Sequence, residues 1–140
     1  MRRFIWAISL MVVTSLLLSC DSQELIASYH KEIAITSVTP SAATIGQETL
    51  FDVMVSYKLG SAYDSGIVYI GFNDSTPDCF RYVDQRTVSS GTGTLSFTSL
   101  SAIPTDWGTV GNFAVAAILD SNNRQVANAI QVISLTSGTL

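Results

Sequence analysis

The chain of 140 residues carries 7 Lys and Arg against 11 Asp and Glu, which gives a net charge of −4 at pH 7. This acidic balance excludes the nucleic-acid-binding classes, because binding to phosphates is driven by clustered Lys and Arg. The length is sufficient for one domain with its own hydrophobic core.

The first twenty residues have the organisation of a secretory signal. Two arginines at positions 2 and 3 form a basic start, residues 4–18 are largely apolar, and a small residue precedes Cys20. The run Leu17-Leu18-Ser19-Cys20 resembles the lipobox of a bacterial lipoprotein signal peptide. One alternative is an uncleaved membrane anchor, for which the 15 residues fall short of the ~20 that span a bilayer. An ordinary cleaved secretion signal is the other.

The lipobox resemblance implies that residues 1–19 are removed as a signal peptide and that the Cys20 thiol carries acyl chains. The mature chain would then have a net charge of −6 and no basic surface for an anionic bilayer. The acyl chains would supply the membrane affinity, at about 0.8 kcal/mol for each buried methylene. The resemblance places the protein in the bacterial cell envelope, on the periplasmic or cell-surface side, with the polar residues 20–32 as a lipidated tether.

Cys79 would be left without a partner in the chain once Cys20 is acylated. It is expected to behave as a small buried hydrophobe. An intermolecular disulfide and a reactive thiol are the alternatives.

Beyond the tether the pattern changes to that of β-strands. Apolar and β-branched residues recur at period two, in runs separated by Gly, Asn, Asp, Ser and Pro. Residues 65–72 are continuously apolar, which favours a central strand, whereas Arg81 and Arg86 favour an edge position for residues 79–88. The predicted strands are, in chain order, 33–39, 50–59, 65–72, 79–88, 94–100, 112–120 and 125–135.

The strand at residues 50–59 alternates most clearly. One of its faces is expected to meet the core while the other, which carries Lys58, meets water. The side chains on the predicted core face are Phe51, Val53, Val55, Tyr57 and Leu59. In the strand at residues 112–120, the side chains that share a face are Phe113, Val115, Ala117 and Leu119.

About seven strands over ~100 residues, without a convincing helix, predict an all-β fold: a single immunoglobulin-like or fibronectin-like antiparallel β-sandwich over residues 33–136. The region also resembles the immunoglobulin-like modules of bacterial surface and periplasmic proteins. Unlike antibody domains, it has no cysteine pair between the second and sixth strands and no Trp on the third. A jelly roll and a small barrel are the alternatives. The resemblance rests on the stretch 35–46, on Val53, Val55 and Tyr57, and on Phe113, Val115, Leu119 and the turn at Asp120.

The sequence predicts no catalytic residue, metal site or cofactor. The chain has 1 His, at position 30 in the tether, so a hydrolytic triad is not expected there. A zinc site of several His and Cys ligands is excluded by count. Asp74, Asp78 and Asp84 are close in sequence, and they are interpreted as turn residues rather than as a glycosidase pair or a calcium site. The protein is therefore expected not to be an enzyme.

Two aromatic residues fall outside the predicted core pattern. Trp107, in the long loop at residues 102–109, and Tyr63, after the second strand, could present flat rings to a sugar or to a partner protein. In the alternative interpretation, Trp107 folds back and closes the open end of the sandwich.

Together these observations predict a lipid-anchored, non-enzymatic binding or structural module of the cell envelope. Its expected partners are the membrane, through the acyl chains on Cys20, and an envelope protein or a polysaccharide. The alternative function is that of a carbohydrate-binding surface lipoprotein that uses Trp107 and neighbouring aromatic residues.

Overall fold

The computed structural model describes residues 29–74 and 80–138. Within these residues the chain forms nine β-strands, and no helix that could cross a membrane is found there. The lipobox with Cys20, most of the tether, Asp78 and Cys79 lie outside the described residues. The strands are β1 (Lys31–Thr39), β2 (Ala42–Thr44), β3 (Glu48–Leu59), β4 (Ser65–Asn73), β5 (Phe80–Ser89), β6 (Gly91–Ala102), β7 (Phe113–Leu119), β8 (Gln125–Val132) and β9 (Ser134–Thr136).

Two antiparallel sheets contain seven of these strands. One sheet has the order β1-β3-β6 and the other the order β5-β4-β7-β8, while β2 and β9 form a short parallel pair. The chain crosses between these sheets after β3, β5 and β6, while the hairpins β4-β5 and β7-β8 stay within the four-stranded sheet, which gives an immunoglobulin-like or fibronectin-like sandwich. The predicted all-β sandwich is confirmed, with β4 central and β5 at an edge as the sequence indicated.

The core lies between the two sheets. Phe51, Val53, Val55 and Leu59 of β3 are all buried, which confirms the face predicted for that strand. Phe51 packs against Phe72 of the opposite sheet, with ring centroids 4.6 Å apart. The remaining large apolar side chains that are fully buried come from β4, β6, β7 and the loop after β6, and they are Val68, Ile70, Phe97, Ile103 and Ile118.

Differences from the sequence-based strands occur at their ends. The strand β1 begins at Lys31, two residues earlier than predicted, and β6 extends from Gly91 to Ala102. The predicted last strand is divided at Ile133, whose N–H donates to the carbonyl of Asn112. Its second part, β9, pairs with β2, a three-residue strand that the sequence does not reveal.

Candidate functional site

Trp107 lies in the core. Its side chain is 6% exposed and belongs to the main buried cluster. The backbone N–H of Trp107 donates to the carbonyl of Pro104 at 3.2 Å, so the loop turns back towards the sandwich. The residue contributes to the wall of an open depression of about 670 Å³, beside Gly46, Thr109 and Gly138. Little of the indole is available for a ligand to stack on, although ligand binding by this residue stays an untested prediction.

Tyr63 is half-buried at a different depression, of about 320 Å³. Its ring meets Tyr29 edge to face, with centroids 6.4 Å apart. The ammonium of Lys31 donates to the Tyr63 hydroxyl at 3.3 Å and lies 5.9 Å from the ring centroid. The two aromatic residues singled out from the sequence therefore line separate depressions and do not form one site, and a binding role for Tyr63 is likewise untested.

Asp120 organises the turn beside Tyr63. Its carboxylate accepts hydrogen bonds from the backbone N–H groups of Asn122 and Arg124 at 2.8 and 3.0 Å, and from the Arg124 guanidinium at 3.0 and 2.8 Å. The backbone hydrogen bond from Arg124 is the largest cause that holds the pKa of Asp120 below its ordinary value, and it prevails over the opposing effect of burial. This geometry fixes a structural turn and leaves the carboxylate little capacity for chemistry.

The other titratable residues considered from the sequence form no reactive cluster within the part of the chain that the structure describes. His30 Nε2 lies 3.2 Å from Glu32 Oε2 at the surface. Asp84 accepts a hydrogen bond from the backbone N–H of Gln85, and Asp74 is buried at the end of β4. Within residues 29–74 and 80–138, no three His, Cys, Asp or Glu side chains come together as metal ligands.

The outer face of the four-stranded sheet is the most distinctive surface of the described chain. The inward side chains of β4 and β7 alternate with outward ones that are also apolar. The register aligns the outward residues of β5, β4, β7 and β8 in rows across the sheet, and the polar members of these rows are Asn73, Gln85, Thr87, Gln125 and Asn128. The residues that define this outer apolar face are Ile67, Tyr69, Phe80, Tyr82, Phe113, Val115, Leu119, Ile130 and Val132.

The exposure of this face is greatest along its two edge strands. Ile130 and Val132 of β8 are 61% and 75% exposed, and Phe80 and Tyr82 of β5 are also exposed. The centre of the face is more closely packed, and burial raises the pKa of the Tyr69 phenol, whose hydroxyl donates to Gln125 Oε1 at 3.0 Å. No charged side chain occupies an outward position in these rows of described residues.

A β-bulge orients the aromatic residues of β5 onto this face. The register with β4 shifts between Ile70 and Gly71, so that Val83 is the extra residue on β5. Without the bulge, Tyr82 would pair with an inward residue of β4 and would turn away from the outer surface, because side chains alternate along a strand. The bulge thus places both Phe80 and Tyr82 on the outer side of the sheet.

The glycine at position 71 allows the Phe80 ring to lie directly on the sheet. A Cβ atom at Gly71 would overlap the Phe80 ring and would come within 2.6 Å of a backbone carbonyl oxygen. The ring also meets Tyr69 edge to face, with centroids 6.0 Å apart. Gly71 is therefore a structural requirement of the aromatic part of the outer apolar face.

Sequence reasoning did not identify this surface. It placed Phe113, Val115 and Leu119 correctly on one face of β7, but that face is the outer one, and small side chains such as Ala114 and Ala116 fill the core side. The available signal was the alternation of large and small apolar residues in β7 together with two aromatic residues on an edge strand. That signal does not indicate which side of the sheet packs against the other sheet and which side faces outward.

Comparison with known proteins gives a limited result. No family model matches the chain, and no curated protein is similar to it. Among solved structures, the CARDB domain of a Pyrococcus furiosus protein, crystallised in complex with di-metal ions, is 20% identical over 76% of this chain and 88% of that one, with a TM-score of 0.47. The sporulation control protein Spo0M of Bacillus subtilis is 12% identical over 77% and 50%, with a TM-score of 0.45. A Listeria innocua β-glucosidase in complex with gluconolactone is 13% identical over 79% and 16%, with a TM-score of 0.45.

Proposed function

We propose that the protein is a lipid-anchored, non-enzymatic binding module of the bacterial cell envelope, and that a partner protein docks on the outer apolar face. In this proposal residues 1–19 are a signal peptide, Cys20 carries the acyl chains, residues 20–30 form the tether, and the folded domain begins with β1 at Lys31. The observation that carries the binding role is the uncharged and largely apolar outer surface of the four-stranded sheet.

The size of this surface supports a protein partner. Phe80, Tyr82, Ile130 and Val132 are between 43% and 75% exposed and the other five residues are partly exposed, so with typical side-chain areas the face presents on the order of 700 Å². A standard protein interface buries about 800 Å² on each partner, whereas the largest apolar patch of an ordinary monomer measures about 300–600 Å². The face is therefore large enough to form most of one specific interface.

The composition of the face favours a protein over a polysaccharide. Small-molecule and sugar sites combine apolar surface with a few converging polar groups. Here the rings of Phe80 and Tyr82 lie on one edge strand and the aliphatic side chains of Ile130 and Val132 on the other, with apolar residues of β4 and β7 between them. This mixture resembles a protein-binding core. The carbohydrate-binding alternative depended on Trp107, whose burial leaves it with less support.

The anchor is tested by metabolic labelling with a fatty-acid analogue. Cys20→Ser should abolish incorporation and leave the precursor with its signal segment, because the thiol is the acyl acceptor. Cys79→Ser is the matched control, since it removes the other cysteine of the chain and should leave labelling unchanged. Incorporation that persists in Cys20→Ser would exclude the lipoprotein assignment.

The docking face is tested by placing a photoreactive residue at position 130 in intact cells. Ile130 is 61% exposed on the outer apolar face, and Leu50, 56% exposed on the outer side of the opposite sheet, is the matched control position. We expect a defined adduct with another envelope protein from position 130 and none from position 50. An equal adduct pattern from the two positions, or none from position 130, would refute the assignment of the face.

A further inference from the structure

The two larger sheets have four edges, and these differ in how they are protected against pairing with another strand. In the three-stranded sheet, the edge strand β1 carries Lys31 and Glu32 and has a bulge at Thr36. On the other sheet, β5 carries three charged residues and the bulge at Val83. Charges and bulges are the usual means by which proteins prevent edge-to-edge association.

The edge strand β6 has neither form of protection. Its 12 residues, from Gly91 to Ala102, include no charged side chain and no proline. Its register with β3 runs without a shift along the whole strand. The remaining edge strand, β8, is also uncharged, but it is shorter, it contains a register shift, and β1 packs beside it more extensively than β5 packs beside β6.

The free edge of β6 specifies the form of its partner. Within the described residues β6 pairs with β3 and with no other strand. In an antiparallel pair, successive residues alternate in whether their N–H and C=O groups point towards the neighbouring strand. Every second residue of β6 therefore presents a donor and an acceptor away from β3, which is the arrangement that an added strand recognises.

We propose that β6 pairs antiparallel with β6 of a second copy of this chain, across a two-fold axis at Ser96, and extends the three-stranded sheet to six strands. This interface is separate from the outer apolar face, which belongs to the other sheet.

Charge favours a second copy as the occupant. The chain is acidic, with a net charge of −4, so most contacts between two copies bring like charges together. A two-fold interface places the same strand on both sides, and β6 can meet itself without any charged pair. On the outer surface of this sheet the nearest charge is Asp52 of β3, which accepts a hydrogen bond from Thr98 and lies one strand further from the axis. On the inner side, the Arg86 guanidinium of β5 lies 5.5 Å from the centroid of the Phe97 ring, which is fully buried.

The alternation of side chains determines the register. Outward residues must pair with outward residues, so a two-fold axis passes through a residue and not between two residues. An axis at Ser96 overlaps residues 91–101 of both copies. It pairs Thr94 of one copy with Thr98 of the other and sets the small Ser96 side chains against each other, and such β-branched and hydroxyl pairs stabilise neighbouring strands.

A charge at position 96 tests the interface. Ser96→Lys on the full chain should raise the dimer dissociation constant at least tenfold, because two ammonium groups would face each other across the axis. Met54→Lys is the matched control, because Met54 is the register partner of Ser96 and lies on the same side, one strand inward. Its dissociation constant should change less than about threefold. The measurement is sedimentation of the detergent-solubilised protein in density-matched buffer, with thermal melts to show that both variants fold.

Mixing variants of opposite charge distinguishes the two-fold contact from other effects. Differently tagged Ser96→Lys and Ser96→Glu chains should each be monomeric alone and should form a heterodimer when mixed, since opposite charges then meet at the axis. A monomeric wild-type chain at every concentration, a failure of the mixture to dimerise, or a dimer lost only in Ile130→Glu would overturn the proposal. A different protein captured through β6 by a monomeric chain would overturn it as well. None of these results decides whether a partner docks on the outer apolar face, which the crosslinking at position 130 tests separately.

Discussion

Replacement of Trp107 by alanine distinguishes a structural indole from a ligand-binding one. The side chain lies in the loop between β6 and β7 and is 6% exposed, as part of the cluster that fills the space between the sheets. Alanine would leave a cavity at the end of the sandwich, because the surrounding strands can close only partly around the missing ring. We therefore expect Trp107→Ala to destabilise the fold.

The burial of the ring determines the size of this effect. An indole buries about 200 Å² on folding, which corresponds to about 5 kcal/mol at ~25 cal/mol for each Å² of apolar surface. Measured replacements of a buried aromatic residue by alanine cost about 3–5 kcal/mol. Since a domain of about 100 residues loses roughly 4–8 °C for each kcal/mol, the melting temperature should fall by at least about 12 °C.

Thermal and urea denaturation, followed by circular dichroism, measure the effect. Val110→Ala is the matched control, because Val110 lies three residues further along the same loop and is 80% exposed. It should change the free energy of unfolding by less than about 0.5 kcal/mol. The reasoning would be refuted if Trp107→Ala were as stable as this control. A stable variant that had also lost binding to a polysaccharide would instead establish Trp107 as a ligand platform.

Three further perturbations test the core, the outer apolar face and the turn after β7. Val55→Asp buries an unpaired charge, so it should lower the free energy of unfolding by several kcal/mol through desolvation. Lys58→Asp, on the exposed side of β3, should lower it by less than about 0.5 kcal/mol. Equal urea midpoints for the two variants would contradict the assigned faces. Gly71→Ala places a methyl group where the Phe80 ring and a backbone carbonyl lie. It should therefore destabilise the fold by about 1–3 kcal/mol. An unchanged melting temperature would show that the ring does not lie against position 71. The pKa of Asp120 is lower in the folded chain than the unfolded value of about 3.9. Stability should therefore fall as the pH drops from about 4 through the folded pKa, and Asp120→Asn should reduce that slope in urea titrations at several pH values, which an unchanged slope would contradict.

The sequence alone determined the architecture of the domain and much of its core. The period-two pattern of residues 50–59 predicted both the strand β3 and its buried side, because polar residues on the other side mark the solvent face. Asp120 marked a turn for a local reason, because its carboxylate accepts hydrogen bonds from the nearby backbone N–H groups of Asn122 and Arg124. Such features depend on a few neighbouring residues and are therefore readable from the chain.

The binding surfaces were decided only by the tertiary structure. In β7 both sides are apolar, so alternation could not tell that the alanines face the core and that Phe113 faces outward. The bulge at Val83 arises from the pairing of β5 with β4, and the free edge of β6 from the order of strands in its sheet. The burial of Trp107 likewise depends on where its loop meets the two sheets. In each case the deciding contact joins residues far apart in the chain, and a local sequence pattern does not predict such a contact.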